Sequence, residues 1–287
     1  VEVTPEGIRF TEPVREGAWV RRRGSDVKQG SVVMKKGDRL TPAAIGMVAS
    51  IGRAYVKVYR RLRVGIFFAG DELVQPGEPL PPGGIYNSNR FMIRSLLQEL
   101  GCEALDLGNV PDTLEATIEA FERAAESADV ILTTGGMSVG EEDHIKPAVE
   151  ALGSLNVWRV RLKPGKPLAF GEVRGVPFIG CPGNPVAGFV VFLMMARPYL
   201  LRTMGLTDID VKPMAVRADF EWTKPGERQE FVRVRRNDAG GLDIYPTQNS
   251  QVLSSCAWGD GLVDIPVGST IARGDMVNYY PFCQFFA

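Results

Sequence analysis

The stretch Ala128-Asp129-Val130-Ile131-Leu132-Thr133-Thr134-Gly135-Gly136-Met137-Ser138-Val139-Gly140-Glu141-Glu142-Asp143 decides how this chain folds. Its first half is a short, nearly unbroken apolar run, the pattern of a strand buried on both faces. Paired glycines then mark a turn, and Ile145 to Leu152 carries helical spacing. Strand, glycine turn and helix in succession make the repeating unit of a parallel sheet. Such a turn can present backbone N–H groups to an anion, because glycine lacks the Cβ that would hold a ligand away. The carboxylates Glu141, Glu142 and Asp143 at its end suit a hydrated divalent cation. A tight strand-to-helix turn without any ligand uses the same glycines, so the loop alone leaves both readings open.

Strands and helices alternate on either side of this loop. Val64 to Phe68 reads as a buried strand, and Asn89 to Leu100 as a helix that Gly101 stops. Ala104 to Leu107 is a second strand. Asp112 is expected to cap a helix with apolar Leu114, Ile118, Phe121 and Ala125, and Glu115 to complete its capping box. Downstream, Val157 to Leu162 and Leu168 to Phe170 are expected as strands flanking the turn Lys163-Pro164-Gly165-Lys166. Pro177 to Gly180 is another strand, and Pro185 to Met204 a long, largely buried helix. The alternation predicts an α/β fold, with a central, mainly parallel sheet covered by helices on both faces.

The flanking regions differ in pattern. Residues 1 to about 60 read as mixed β and loop. Ala18 to Asp26 reads as a strand and turn, and a helix starts at Thr41 with Pro42 in its first position. From Val211 onward, alternation such as Phe231-Val232-Arg233-Val234-Arg235-Arg236 predicts a small all-β domain, a C-terminal barrel. The expected division is 1–61 for a partial N-terminal segment, 62–209 for the α/β domain and 210–287 for the barrel.

Composition narrows the class. The 287 residues are 45% hydrophobic and 23% charged, ordinary values for a globular protein with a large core. A formal net charge of −1 argues against general nucleic-acid binding. Cys102, Cys181, Cys256 and Cys283 form no CxxC pair, so neither a zinc site nor a disulfide framework is expected, and a reduced cytoplasmic setting fits. The apolar block Val186 to Met195 is too short to span a bilayer, and no secretory signal is visible, so no membrane association is expected. The chain opens at Val1 directly into strand-like sequence, and a longer N-terminal portion is expected to precede it.

In open α/β sheets, ligands gather beyond the carboxyl ends of the strands. The strands at Ile66, Ile131 and Phe178 run respectively into Gly70-Asp71-Glu72, the glycine loop and Gly180-Cys181-Pro182-Gly183-Asn184-Pro185. If the strands are parallel, the three turns lie on one side. Lys163-Pro164-Gly165-Lys166-Pro167 is a stiff turn with two ammonium groups, able to hold an anion at low ordering cost, although surface lysines are commonly just solvated. His144 is the only histidine, which excludes a multi-histidine metal site. Cys181 sits in a suggestive turn, but a free cysteine is usually a small buried hydrophobe.

Together the motifs resemble the molybdopterin molybdotransferase family, which includes bacterial MoeA and the E domain of gephyrin. The resemblance rests on Arg21-Arg22-Arg23-Gly24-Ser25-Asp26, Gly70-Asp71-Glu72-Leu73, Ile85-Tyr86-Asn87-Ser88-Asn89-Arg90, Gly135-Gly136-Met137-Ser138-Val139-Gly140, Lys163-Pro164-Gly165-Lys166-Pro167 and Pro182-Gly183-Asn184-Pro185. It implies a molybdopterin-binding fold. It also implies insertion of molybdate into adenylated molybdopterin with release of AMP, Mg²⁺ present, in a homodimer whose active cleft both subunits build. Molybdopterin adenylyltransferase is the implied pathway partner. Carried over residue by residue, the resemblance implies catalytic roles for Asp26, Glu72, Asp112 and Asp143, with Glu72 and Asp143 as metal ligands. It implies substrate binding by Gly135, Gly136, Ser138, Gly140, Arg159, Lys163, Lys166, Pro182, Pro185, Arg228 and Ser250. Arg159 stands where family members often carry lysine, and the two differ in binding geometry. A carrier or scaffold that binds molybdopterin without chemistry is the competing expectation.

Overall fold

The computed structural model describes residues 1–13, 15–136 and 144–286, leaving aside the side chain of Trp158. It divides into two compact units, Val1–Lys57 and Val58–Ala287.

In the first unit, β1 (Glu2–Thr4) and β2 (Gly7–Arg9) form an antiparallel hairpin. Helix α1 (Pro42–Ser50) begins as the sequence predicts, with Thr41 accepting the Ala44 N–H and proline in the first turn. Gly52, at φ +79°, lets the chain leave it. Of the strand and turn expected over Ala18 to Asp26 only the turn is present, and the strand part gives way to irregular and turn backbone. Gly17 at φ +77° and Trp19 at φ +64° hold left-handed backbone, which an extended strand cannot contain.

The second unit opens with β3 (Arg63–Ala69), followed by the short parallel pair β4 (Leu73–Val74) and β5 (Ile85–Tyr86). Helix α2 (Ser88–Glu99), strand β6 (Glu103–Val110), helix α3 (Leu114–Ser127) and strand β7 (Val130–Thr134) come next. Then come α4 (Ile145–Leu152), β8 (Gly153–Arg159), β9 (Leu162–Lys163), β10 (Pro167–Val173) and β11 (Val176–Cys181). The central sheet has the order β6-β3-β7-β11-β10-β8. Strands β6, β3, β7 and β11 are mutually parallel, and β10 and β8 add an antiparallel edge.

Alternate side chains of the strands feed two cores, as a doubly covered sheet requires. Phe67, Ile131 and Phe178 face Ala120, Phe121, Ala124 and Val149 of α3 and α4. Ile66, Phe68, Leu132 and Ile179 face Ile93 and Leu97 of α2 and the long helix that follows β11. That helix is α5 (Pro185–Val191) and α6 (Arg197–Thr203), continuous through a π-helical turn over Phe192–Ala196. The helix is longer than the apolar block Val186 to Met195, and by length and composition alone Pro185–Thr203 could cross a membrane. It is 61% buried inside the protein, as a core helix is.

Two local expectations give way to tertiary contacts. The cap of α3 is Thr113, whose hydroxyl accepts the Ala116 N–H, and no capping box forms with Glu115. Asp112 is instead engaged with Asp71. The strand expected over Val157 to Leu162 starts earlier, at Gly153, and stops at Arg159.

The remainder is β12 (Met214–Arg217), β13 (Gln229–Arg236), β14 (Leu242–Ile244), α7 (Ser254–Trp258), β15 (Gly261–Ile265) and β16 (Met276–Pro281). They pair in the order β12-β16-β15-β13-β14, and a bridge from Ala218 to Leu242 closes the two edges into a barrel. Val216, Val232, Val234, Val263 and Tyr279 are among the residues that fill it. Strand β9 pairs with β13 in parallel, joining barrel and central region.

Candidate active site

Parallel order brings the strand ends together. Phe68 aligns with Thr134, Thr134 with Cys181, and Ala69 with Val110, so β3, β7, β11 and β6 all end at one edge of the sheet. Strand β10 runs the other way and starts at this edge, with Pro167 opposite Arg159, the last residue of β8. The edge therefore collects Gly70-Asp71-Glu72, Pro111-Asp112, Gly135-Gly136, Pro182 to Pro185, Arg159 and Lys166. Ser138, Gly140 and Asp143 fall outside the described residues.

The turns meet backbone to backbone. Gly135 has φ +91°, its N–H donates to the Cys181 carbonyl at 3.3 Å, and a Cβ there would stand 2.6 Å from the Ala69 oxygen. Gly136 has φ +60°, and a Cβ would meet Ile145 Cγ1 at 2.7 Å. On Gly183 a Cβ would reach Gly135 Cα at 3.3 Å. Glycine is required at Gly135 both by its dihedral and by the neighbouring strand end. Pro182 is buried, and Pro185 sits in the first turn of α5.

Asn89, quoted in a motif but assigned no role, ties these turns. Its Nδ2 donates to the Gly183 carbonyl at 2.7 Å and to Thr134 Oγ1 at 3.3 Å. It is buried, and its Oδ1 and the neighbouring Thr133 Oγ1 have no partner among the described residues. The preceding Asn87 caps α2 and donates to Asn109 Oδ1 at 2.7 Å, fixing the start of that helix against β6.

Two of the carboxylates are linked. The Asp71 N–H donates to Asp112 Oδ2 at 3.2 Å, and the Asp112 N–H to Asp71 Oδ1 at 3.0 Å. Glu72 folds back so that a Cβ on Gly70 would stand 2.6 Å from Glu72 Oε2. Asp71 was likewise without an assigned role. Among the described residues no three His, Cys, Asp or Glu side chains gather as a metal-holding group. Magnesium retains several waters and needs only one or two carboxylates, and the exposed Asp71 and Glu72 and the half-buried Asp112 offer oxygen donors of that kind.

On the basic side, Lys163 Nζ lies 3.0 Å from Glu230 Oε2. The Lys163–Pro164 bond is cis, and Gly165 is packed where a Cβ would collide with Val191 of α5. Lys166 and Arg159 are exposed, and the Lys166 carbonyl accepts the Val160 N–H at 3.0 Å. From the barrel, Arg228 Nη1 donates to the Leu162 carbonyl at 3.2 Å, and the Ser250 carbonyl accepts the Val186 N–H at 3.0 Å. Arg228 thus holds β9, and Ser250 stands at the start of α5, beside the Pro182 to Pro185 turn. Glu230 was invisible as a site neighbour, because only folding brings β9 to β13. Asp26 is an exposed residue of the first unit.

Cys181 is fully buried, and burial pushes its thiol up to about 12, so it is a packing residue rather than a nucleophile. His144 stands at the start of α4 without forming a side-chain cap.

A doubly covered sheet, its glycine, carboxylate and lysine turns on one edge and a barrel behind them, defines the class of molybdopterin-binding α/β proteins with an appended β domain. Residues 65–202 match the family described as "Probable molybdopterin binding domain". Residues 215–282 match the MoeA C-terminal region (domain IV), and residues 1–52 the MoeA N-terminal region (domain I and II). The chain is 44% identical over 281 residues to the molybdopterin molybdenumtransferase of Haemophilus influenzae, covering 96% of this chain and 70% of that protein. It is 33% identical to molybdopterin molybdenumtransferase 2 of Mycobacterium tuberculosis, covering 93% and 68%. A crystal structure of a molybdopterin biosynthesis MoeA protein from Pyrococcus horikoshii superposes with a TM-score of 0.78 at 28% identity, over 90% of this chain and 63% of that one. The chain belongs to the molybdopterin molybdenumtransferase family. It spans somewhat under two thirds of the length of the Pyrococcus protein.

Proposed function

We propose that this chain is a transferase of molybdenum cofactor biosynthesis that inserts molybdate into adenylated molybdopterin and releases AMP. The convergence of phosphate-type glycine turns, carboxylates and lysines on one sheet edge carries this reading. Both substrates are anions. Gly135 and Gly136, with Ser138 and Gly140, hold the pterin phosphate through backbone and hydroxyl donors. Lys166, Lys163 and Arg159 hold oxyanions by charge-assisted hydrogen bonds. Arg228 and Ser250 close the site from the barrel. Among the acidic residues, Glu72, Asp112 and Asp143 orient the phosphoanhydride, and Asp71 supports Asp112 through the reciprocal bonds between them.

Magnesium, held by Glu72 and Asp143, would neutralise charge on the anhydride. The remaining work is positioning and electrostatics by the chain's own groups. Asp26 belongs to a cleft shared by a homodimer. The exposed Trp19 and Val20 of the first unit support an apolar contact with a second copy. The free cysteines support a reducing, cytoplasmic setting, with molybdopterin adenylyltransferase as supplier of the substrate.

The test is AMP release and cofactor formation from adenylated molybdopterin and molybdate. Asp143→Asn is expected to fold and to lose turnover, and Lys166→Ala to weaken molybdate binding in calorimetry. Tight pterin binding by the unaltered chain without AMP release would select the carrier reading instead.

A further inference from the structure

Arg233 is the largest fully buried side chain among the described residues, and it has no carboxylate partner among them. Its surroundings are neutral: Nε donates to Ser255 Oγ at 3.0 Å, Nη2 to the Asn249 carbonyl at 3.3 Å, and Nη1 to the Phe231 carbonyl at 3.5 Å. A buried cation satisfied only by neutral acceptors is a costly choice for the outer face of β13, opposite the side on which Val232 and Val234 fill the barrel. What it contacts explains the choice. Its side chain spans the two ends of the segment Asn249 to Ser255. Its backbone completes the same clamp: its N–H donates to Gln248 Oε1 at 2.9 Å, and its carbonyl accepts Gln248 Nε2 at 3.2 Å and the Tyr245 N–H at 3.1 Å. One peptide from the Asn249 carbonyl lies Ser250, whose own carbonyl accepts the first free N–H of α5, at Val186.

We infer that Arg233 is a positioning residue, which pins the segment Tyr245 to Ser255 so that Ser250 is held at the sheet edge against the Pro182 to Pro185 turn. The inference rests on the functional reading above, since it makes Arg233 the internal brace of the barrel's contribution to substrate binding. The planar fork is the requirement: Ser255 and Asn249 are reached at once from one rigid group, which a lysine ammonium on a single stem cannot do. Charge is not the requirement, because Arg233 is buried between the outer face of β13 and the segment Asn249 to Ser255, where all its hydrogen-bond acceptors are neutral.

The test compares Arg233→Met, Arg233→Lys and Gln248→Ala in the full chain by hydrogen exchange and by turnover of adenylated molybdopterin. All three are expected to keep protected amides in β13, β15 and β16, while the amides of Tyr245, Ser255 and Val186 lose protection. KM for adenylated molybdopterin should rise on the order of tenfold, about 1.4 kcal/mol, with kcat little changed. Lysine should fail to rescue as fully as methionine fails. Unchanged protection at Tyr245, Ser255 and Val186 would overturn the clamp, and so would protection lost evenly across the barrel. Full rescue by lysine would replace positioning with electrostatics and overturn the inference. A released segment with unaltered KM would overturn its functional part. Should Arg233→Met fail to fold, Gln248→Ala decides by the same readouts. Absence of turnover in the unaltered chain would count against the function proposed above, and exchange would still decide the clamp.

Discussion

Replacing Lys163 by alanine separates a structural role from a binding role in one side chain. Lys163 Nζ is 3.0 Å from Glu230 Oε2, and the side chains are 46% and 5% exposed. Removing the lysine leaves a buried carboxylate without its cation. Breaking a fully buried pair costs about 3–5 kcal/mol, and an exposed pair contributes about 0–1 kcal/mol. With one partner buried and one half in water, the expected loss is about 2 kcal/mol. At a urea slope of about 2 kcal/mol per M, the unfolding midpoint should fall by roughly 1 M. Glu230→Gln in the same chain removes the stranded charge and should restore most of that stability, while molybdate affinity remains reduced. Urea titration of the two single variants and the double variant completes the cycle. A loss below about 0.5 kcal/mol for Lys163→Ala, or a double variant no more stable than the single, would refute the reasoning. Molybdate binding restored together with stability would show that Lys163 acts through folding alone.

Asn89→Ala removes the donor to Gly183 and Thr134 and should cost about 1–3 kcal/mol, with weaker pterin binding by calorimetry; an unaltered affinity would count against the tie between the turns. Gly135→Ala forces a Cβ toward the Ala69 carbonyl at φ +91° and should destabilise by about 1–3 kcal/mol. Chemical denaturation checks this, and a neutral result would mean that the strand ends yield freely. Asp129 is held well below the usual carboxylate range, first by its hydrogen bond to Arg60 and then by Arg63. A depressed folded-state pKa contributes stability above the unfolded value of about 4 and loses it as pH falls further. Asp129→Asn should therefore lower stability at neutral pH and flatten its decline below about pH 4; an unchanged acid limb in urea melts would contradict this.

The sequence made the sheet edge legible for a definite physical reason. Apolar strand, turn and helix repeat along the chain, and parallel strands place all their carboxyl ends on one side, so Gly70, Gly135 and Pro182 had to converge. Features that depend on contacts between distant segments were not legible. Asp112 and Thr113 are both competent caps, and only the bonds between Asp71 and Asp112 decide which one caps α3. The left-handed backbone at Trp19 removes a strand that composition favoured. Glu230 becomes a neighbour of Lys163 only because β9 pairs with β13. Asn89 and Asp71 lay inside recognisable motifs, yet their partners belong to distant strand ends and turns, and no residue pattern reports those.

That short parallel pairing, Leu162 with Gln229 and Lys163 with Glu230, bears on where the polypeptide can be cut. A break at the apparent boundary near residue 210 would leave the barrel with an open strand edge at Gln229 and Glu230, and with the Glu230 carboxylate deprived of Lys163. The central half would in turn lose the anchor of its lysine turn. Separately produced halves should therefore each lack this pairing and the Lys163–Glu230 contact, and recover them only when mixed.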